Sequence, residues 1–516
     1  MKDFATSPLT LGIIGAGIMG RGIAQIAASS GIEVLISDTN TAIMAEAVDF
    51  VHKMLDRAVE KGRLDAADAD SAKHRLRTVA SLADMKSADI VVEAVVENLQ
   101  VKQSLFGELE RIVADECILA TNTSSLSVTA VATACKHQQR VAGCHFFNPV
   151  PLMKLVEVIG GVRTARPVVQ QLHAFIRRLG HTPVQVRDAP GFLVNHLGRG
   201  LNTEGLRILF EDAAQVHEVD EVMRDCVGLR MGPFELMDLT GLDVTCPANE
   251  QIHEQYYQEP RVRPTPLLRQ RYVAGVLGRK SGEGFYLYDK GARVEPERAP
   301  APPLSKGLRL WVSRDEAEFH GRIIALLEQA GVELDRGGKP ETGSIAVVTP
   351  LGCDATTACL AQGLDPGTTV AVDALFELDK RVCLMSSPAT TPAALNGAWA
   401  AFAASGRAVT VMRDSAGFIA QRIVANIINT ACDIAQEGVA RPEDIDTGAR
   451  LGLGYPRGPL ALGDDIGAHR VLAILEHLQS LYGDPRYRPS IWLRRRAMLG
   501  LSLLHTENAG GGSEHA

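Results

Sequence analysis

The transition at residues 11–20, LGIIGAGIMG, constrains the fold more than any other stretch of the chain. A short apolar run passes through a Gly-x-Gly-x-x-Gly turn into RGIAQIAASSG, whose apolar residues are spaced as on a helix. Gly15 permits a tight turn, Gly17 lets backbone approach a pyrophosphate, and Gly20 allows close helix–strand packing. The turn from Gly15 through Ile18, Met19 and Gly20 thus directs the free amides of a helix N-terminus toward an anionic ligand. A second strand-like run, EVLISD, ends at Asp38. Residues 41–77 read as helical, and ADIVVEAVV (88–96) is nearly continuous apolar sequence, as in a strand covered on both faces. A further helical stretch and then CILATNTSS follow. This β-α-β-α alternation predicts an α/β unit built on a parallel doubly wound sheet.

Composition narrows the class of protein. At about 150 residues per domain, 516 residues suggest roughly three to four domains. A net charge of −8 argues against a nucleic-acid or anionic-membrane surface as partner. No run approaches the ~18 apolar residues of a membrane span, and MKDFATSPLT has no apolar core of a secretory signal. The nine cysteines form no CxxC pair and sit mainly in apolar contexts, which predicts reduced, buried thiols in the cytoplasm and no metal site.

The organisation read from the chain is a Rossmann-type domain at 8–187 and a helical domain at 188–289. A proline-rich linker (290–305) follows, then a degenerate α/β segment without a Gly-rich motif (306–412) and a second helical domain (413–505). The ENAGGGSEHA tail reads as disordered. The second helical domain reads as a duplicate: 188–243 aligns without gaps onto 414–469 at an offset of 226. DAPGF meets DSAGF, and Glu211, Asp220, Arg224, Asp238 and Gly241 meet Glu437, Asp446, Arg450, Asp464 and Gly467. EPRVRPT (259–265) meets DPRYRPS at an offset of 225.

Asp38 lies where a carboxylate accepts hydrogen bonds from adenosine ribose hydroxyls, and Ser37, Thr39 and Asn40 offer no arginine to a 2′-phosphate. NAD is favoured over NADP, with FAD using a similar fingerprint. His145 in RVAGCHFF and Glu157 in KLVEVI would meet if the NPVP turn folds their strands together; on spacing alone a core histidine and a solvated carboxylate are the favoured reading. As a pair, the carboxylate would fix the imidazole tautomer, leaving the other nitrogen to take a proton.

The stretches GIIGAGIMGRGIAQ, VVEAVVENLQVK, ATNTSSLSV, AGCHFFNPVPLMKLVEVI, DAPGFLVN and GPFELMDLTGLD resemble the L-3-hydroxyacyl-CoA dehydrogenase family over residues 10–289. The two-part layout is similar to its long bacterial members, which include 3-hydroxyadipyl-CoA dehydrogenases of phenylacetate breakdown. The resemblance implies an NAD-dependent oxidation of (3S)-3-hydroxyacyl-CoA to 3-oxoacyl-CoA. It implies His145 as base, Glu157 as its orienting partner, Ser124 as donor to the substrate oxygen and Asn195 near the reacting centre. Glu97, Lys102 and Asn122 would line the nicotinamide and its ribose. His196 departs from the arginine usual in the family at that place. For the coenzyme A phosphates the candidates are Arg57 and Lys61, with Arg63 beside them, although a solvated charged helix face is the favoured reading of that stretch; for a distal carboxylate, Arg199 and Arg207.

Aligning Leu375-Phe376 with Phe146-Phe147 and RVCLMS with KLVEVI puts Ala374 opposite His145 and Leu384 opposite Glu157, while Gln421 meets Asn195. The second half is therefore expected to carry no chemistry. Short family members pair their helical domains across a dimer. By resemblance, the two helical units here would form a pseudo-dimer within one chain, with a homodimer of whole chains as a further possibility. The alternatives are a dehydrogenase of a free hydroxy acid and a non-catalytic relative of the lens-crystallin kind.

Overall fold

The computed structural model describes residues 2–507, so most of the sequence tail lies outside the described residues. The chain divides into two compact units. One comprises the residues up to His196 with Glu437–Leu453; the other comprises Leu197–Gln436 with the residues from Gly454 on.

The first unit is built on eight strands: β1 (Thr10–Ile14), β2 (Glu33–Ser37), β3 (Leu76–Thr78), β4 (Ile90–Glu93), β5 (Ile118–Thr121), β6 (Val141–Phe146), β7 (Leu155–Gly160) and β8 (Thr182–Arg187). Their order is β3-β2-β1-β4-β5-β6-β7-β8, parallel throughout except for the antiparallel pair β6–β7. The run expected to be helical over 41–77 is two helices, Thr41–Glu60 and Ala66–Arg75, and then the edge strand β3. The central strands β4, β5 and β6 are buried along their whole length, as their mainly apolar sequence predicts, with the polar Glu93, Thr121 and His145 buried among them. The helix Pro442–Gly452, part of the repeated segment, belongs to this unit. Val186 bridges to Ala440, and the Arg187 amide donates to Val439 O at 2.8 Å.

The second unit holds a short hairpin, β9 (Tyr288–Asp289) with β10 (Ala292–Arg293), which occupies the start of the proline-rich stretch. Arg293 and Arg298 anchor that stretch by ion pairs to Glu235 and Glu221. A second sheet follows: β11 (Arg309–Val312), β12 (Glu333–Asp335), β13 (Ile345–Val348), β14 (Thr369–Val372), β15 (Arg381–Ser386) and β16 (Ala408–Arg413). Its order is β12-β11-β13-β14-β15-β16, with only β14–β15 antiparallel.

The ladder corrects the sequence register in this sheet. In the first sheet Glu157 pairs with Val184 on β8 and with His145 on β6. Val184 corresponds to Thr410 at the 226 offset, and Thr410 pairs with Cys383. Continuing the β14–β15 ladder by one residue sets Cys383 beside Asp373, whose amide donates to Cys383 O at 3.1 Å. The positions of His145 and Glu157 are thus taken by Asp373 and Cys383, not by Ala374 and Leu384. The error is a slip of one residue, which in a strand turns every side chain to the opposite face.

Helices fill the rest of this unit. The helices Val194–Phe210 and Ala420–Gln436 meet at Gly200, where a Cβ would lie 2.8 Å from Ile427 Cα, and Asn426 Nδ2 donates to Gly200 O. Arg422, fully buried, pairs with Glu204 and Glu211. Arg261 Nη2 donates to Arg488 O at 3.0 Å, and Arg486 Nη2 donates to Arg263 O at 3.0 Å.

Candidate active site

At the N-terminus of the helix Ile18–Ser29, Gly15 adopts φ +103°, and a Cβ there would meet Ala94 O at 2.4 Å. A Cβ on Gly20 would lie 1.8 Å from Gly15 O, so the turn closes only with glycine at both places. Gly17 has open space around its missing Cβ, and the helix has neither a capping side chain nor an acid in its first turn. Ile18 beside it is exposed, and Met19 packs against the core. Asp38 follows β2, its Oδ2 accepting from the Ala16 amide at 2.8 Å and its Oδ1 from the Asn40 amide at 2.9 Å. Open amides, a side-chain-free approach and a carboxylate at the turn fit a dinucleotide.

The β6–β7 ladder brings His145 and Glu157 together as directly paired residues, with Nδ1 2.6 Å from Oε2. Both are buried. The second oxygen, Oε1, accepts from the amides of Leu193 (3.0 Å) and Val194 (2.8 Å), at the start of the helix Val194–Phe210. One carboxylate therefore orients the imidazole and receives two helix-terminal amides. Phe147 and Phe192 flank the imidazole with ring centroids 4.4 and 6.0 Å away. Gly191 (φ +73°) and Phe192 (φ +48°) shape the bend that presents the two amides.

Ser124 is exposed on the loop after β5, and Asn195 Nδ2 donates to its carbonyl at 3.3 Å. Asn122 Oδ1 accepts from the Phe146 amide at 2.8 Å, tying that loop to the strand of His145. Glu97 Oε1 gathers the Thr123 hydroxyl, the Ser124 amide, and the Ser125 amide and hydroxyl. Burial works against the Glu97 charge, but Lys102 and the Thr123 and Ser125 hydroxyls hold its carboxyl below the usual range. Lys102 itself is enclosed, 2.7 Å from Glu93 and 3.0 Å from Glu97. Sequence reading passed over Glu93, Phe147, Phe192 and the two helix-terminal amides; only Glu93, a charge inside the apolar run VVEAVV, left a visible signal.

Arg57 and Lys61 line a cleft of about 410 Å³ with Arg21 and Arg63, floored by Phe50, Met54, Val150 and Leu152. The Arg21 guanidinium stacks on Phe50 at 4.1 Å. Arg199 is buried in the second unit, and Arg207 pairs with Glu211 at 2.6 Å. Gln421 fills the place of Asn195 and donates to Asp373 Oδ1 at 2.9 Å, while its Oε1 accepts from the Gly352 amide. Polar side chains thus close on one another where the first sheet holds its dyad. Among the described residues no group of His, Cys, Asp and Glu converges as a metal site, and no helix is long and apolar enough to cross a membrane.

The family model described as 3-hydroxyacyl-CoA dehydrogenase, NAD binding domain, matches residues 10–189. The model for the C-terminal domain of 3-hydroxyacyl-CoA dehydrogenase matches residues 191–288 and again 417–507. A 3-hydroxyadipyl-CoA dehydrogenase of Escherichia coli K12 is 37% identical over 95% of this chain and 98% of its own length. The human mitochondrial hydroxyacyl-coenzyme A dehydrogenase is 40% identical over 54% of this chain and 90% of its own. The crystal structure of an E. coli K12 3-hydroxybutyryl-CoA dehydrogenase superposes with a TM-score of 0.84 at 35% identity, covering 96% of this chain and 99% of that one.

Proposed function

The chain belongs to the 3-hydroxyacyl-CoA dehydrogenase family, and we propose that it oxidises (3S)-3-hydroxyacyl-CoA thioesters to 3-oxoacyl-CoA with NAD as acceptor. The observation that carries this reading is the enclosed His145–Glu157 dyad in the same unit as the glycine turn. NAD bound at that turn supplies the hydride acceptor. Glu157 holds the Nδ1 proton of His145, so Nε2 is free to take the substrate hydroxyl proton, and the carboxylate stabilises the resulting imidazolium. Ser124 and Asn195, already linked to each other, hold the substrate oxygen. Asp38 takes the adenosine ribose, which favours NAD over NADP. Glu97, Lys102 and Asn122 frame the nicotinamide side.

The cleft around Arg57 and Lys61 suits coenzyme A, with cations for phosphates and an apolar floor for an adenine. The acyl group is 3-hydroxyadipyl by analogy with the relative that spans nearly the full chain. The two helical segments act as a pseudo-dimer. The supporting observation is the reciprocal pair Arg261 to Arg488 and Arg486 to Arg263, related by the 225 offset, as across an isologous contact. The free thiols, eight of the nine buried, agree with a cytoplasmic setting. NADH consumption with acetoacetyl-CoA, a longer 3-oxoacyl-CoA and 3-oxoadipyl-CoA tests the reading: turnover is expected, fastest with 3-oxoadipyl-CoA, and no turnover with any of them would refute it.

A further inference from the structure

Residues 437–453 of the repeated helical segment belong to the first unit and lie against its active centre. Arg187 Nη1 donates to Glu437 O at 2.9 Å and the Arg187 amide to Val439 O at 2.8 Å, which fastens the segment to the end of β8. In the helix Pro442–Gly452 that follows, Gly448 and Gly452 stand one turn apart on one face. A Cβ on Gly448 would lie 2.7 Å from Leu193 Cδ2; one on Gly452 would lie 2.8 Å from Val194 Cγ2 and 2.9 Å from Leu155 Cδ2. Neither glycine has a positive φ, and glycine weakens a helix relative to alanine. Their use is close approach, and what they approach is the buried pair whose amides donate to Glu157 Oε1. At the 226 offset the two glycines correspond to Val222 and Cys226. In that copy Cys383 takes the place of Glu157, so there is no carboxylate for the amides to hold. A packing need common to both copies would put glycine in both; glycine stands beside the bend that serves a carboxylate.

We propose that Gly448 and Gly452 are positioning residues for the dyad. By letting the helix Pro442–Gly452 close on Leu193 and Val194, they set the two amides that hold Glu157, and through Glu157 the imidazole of His145. The repeated helical segment, which supplies neither member of the dyad, thus completes the active centre. The inference rests on the functional reading above. A methyl added at either glycine has no free space, so helix and bend are pushed apart, and a close-packed interior passes the shift on to the Glu157 contacts.

Steady-state NADH consumption with acetoacetyl-CoA by the full chain tests it, with NADH binding and urea unfolding measured alongside. Gly448→Ala and Gly452→Ala are each expected to lower kcat about 10-fold or more, with KM and NADH affinity within about 2-fold of the wild type, because the dyad moves and the binding surfaces do not. Gly321→Ala, on the helix Ala317–Gln329 where a Cβ meets nothing within 4 Å, is expected to leave kcat unchanged. Leu193→Ala keeps the amide and empties the space the new methyl needs; added to Gly448→Ala, it is expected to raise kcat about 3-fold or more above that of Gly448→Ala alone. If Gly448→Ala does not fold, Gly452→Ala, at the last turn of the helix, decides by the same split between kcat and KM. Unchanged kcat in the folded glycine variants, a fall in kcat matched by an equal loss of NADH affinity, or no recovery in the double variant would overturn the proposal. An active wild type with unaffected glycine variants overturns this inference alone; a wild type that does not reduce acetoacetyl-CoA overturns the functional reading and this inference with it.

Discussion

Glu157 faces His145 across the antiparallel β6–β7 ladder with Oε2 2.6 Å from Nδ1, and its Oε1 accepts from the first amides of the following helix. A single side chain therefore serves the imidazole and the helix terminus, and substitutions can separate the two. Glu157→Gln keeps an acceptor for the amides of Leu193 and Val194 but removes the charge that stabilises an imidazolium. It is expected to lower kcat by about 10²-fold or more with a small change in KM. Glu157→Ala also leaves two buried amides unpaired, at about 1–3 kcal/mol each. Urea unfolding beside steady-state kinetics distinguishes the two.

Asp38 is held in place by the amides of Ala16 and Asn40. Asp38→Asn retains an acceptor and loses the charge that binds ribose hydroxyls and repels a 2′-phosphate. Hydrogen bonds to a charged group contribute about 1.5–3 kcal/mol. NADH affinity is expected to weaken about 10-fold, and the gap between NADH and NADPH to narrow, as read by nicotinamide fluorescence titration.

The cleft at Arg57 and Lys61 predicts a selective defect. Arg57→Ala with Lys61→Ala is expected to raise KM for acetoacetyl-CoA by about 10-fold or more, since each charge-assisted contact is worth about 1.5–3 kcal/mol. The same pair should leave turnover of a short acetoacetyl thioester without the nucleotide unchanged. A parallel loss on both substrates would place coenzyme A elsewhere.

Asp373 gives a pH prediction for the second unit. Burial pushes its carboxyl from the usual 3.8 up to about 6, against hydrogen bonds from Gln421 and the Leu375 amide. Above about pH 6 the folded chain bears the full cost of the buried charge. As pH falls from 6 to 3.8 the folded state takes up a proton that the unfolded state does not, so this contribution to stability rises; below 3.8 the cost is gone. Asp373→Asn is expected to be more stable than the wild type at pH 8, by up to about 3 kcal/mol. The gap should close toward pH 4 in urea unfolding series, with NADH turnover unchanged.

The glycine turn and Asp38 were legible in the sequence because backbone sterics there admit only glycine and the carboxylate ends an apolar strand. The His145–Glu157 contact was not legible from spacing, since it depends on which residues of two strands pair; the family resemblance supplied it. In the second sheet the same difficulty produced a slip: matching Leu375-Phe376 to Phe146-Phe147 follows side-chain likeness, whereas hydrogen bonds to β16 set the true register at Cys383. Glu93 escaped because the roles of Lys102 and Glu97 are local in sequence, while the bonds that fix them reach across β4 and β5.

The most direct test of the central claim is NADH consumption with 3-oxoacyl-CoA substrates by the wild type and by His145→Gln, with NADH binding measured alongside. Turnover by the wild type and a loss of about 10²–10⁴-fold in kcat with NADH affinity preserved is the predicted result. Near-normal turnover by the folded variant, or none by the wild type, would contradict it.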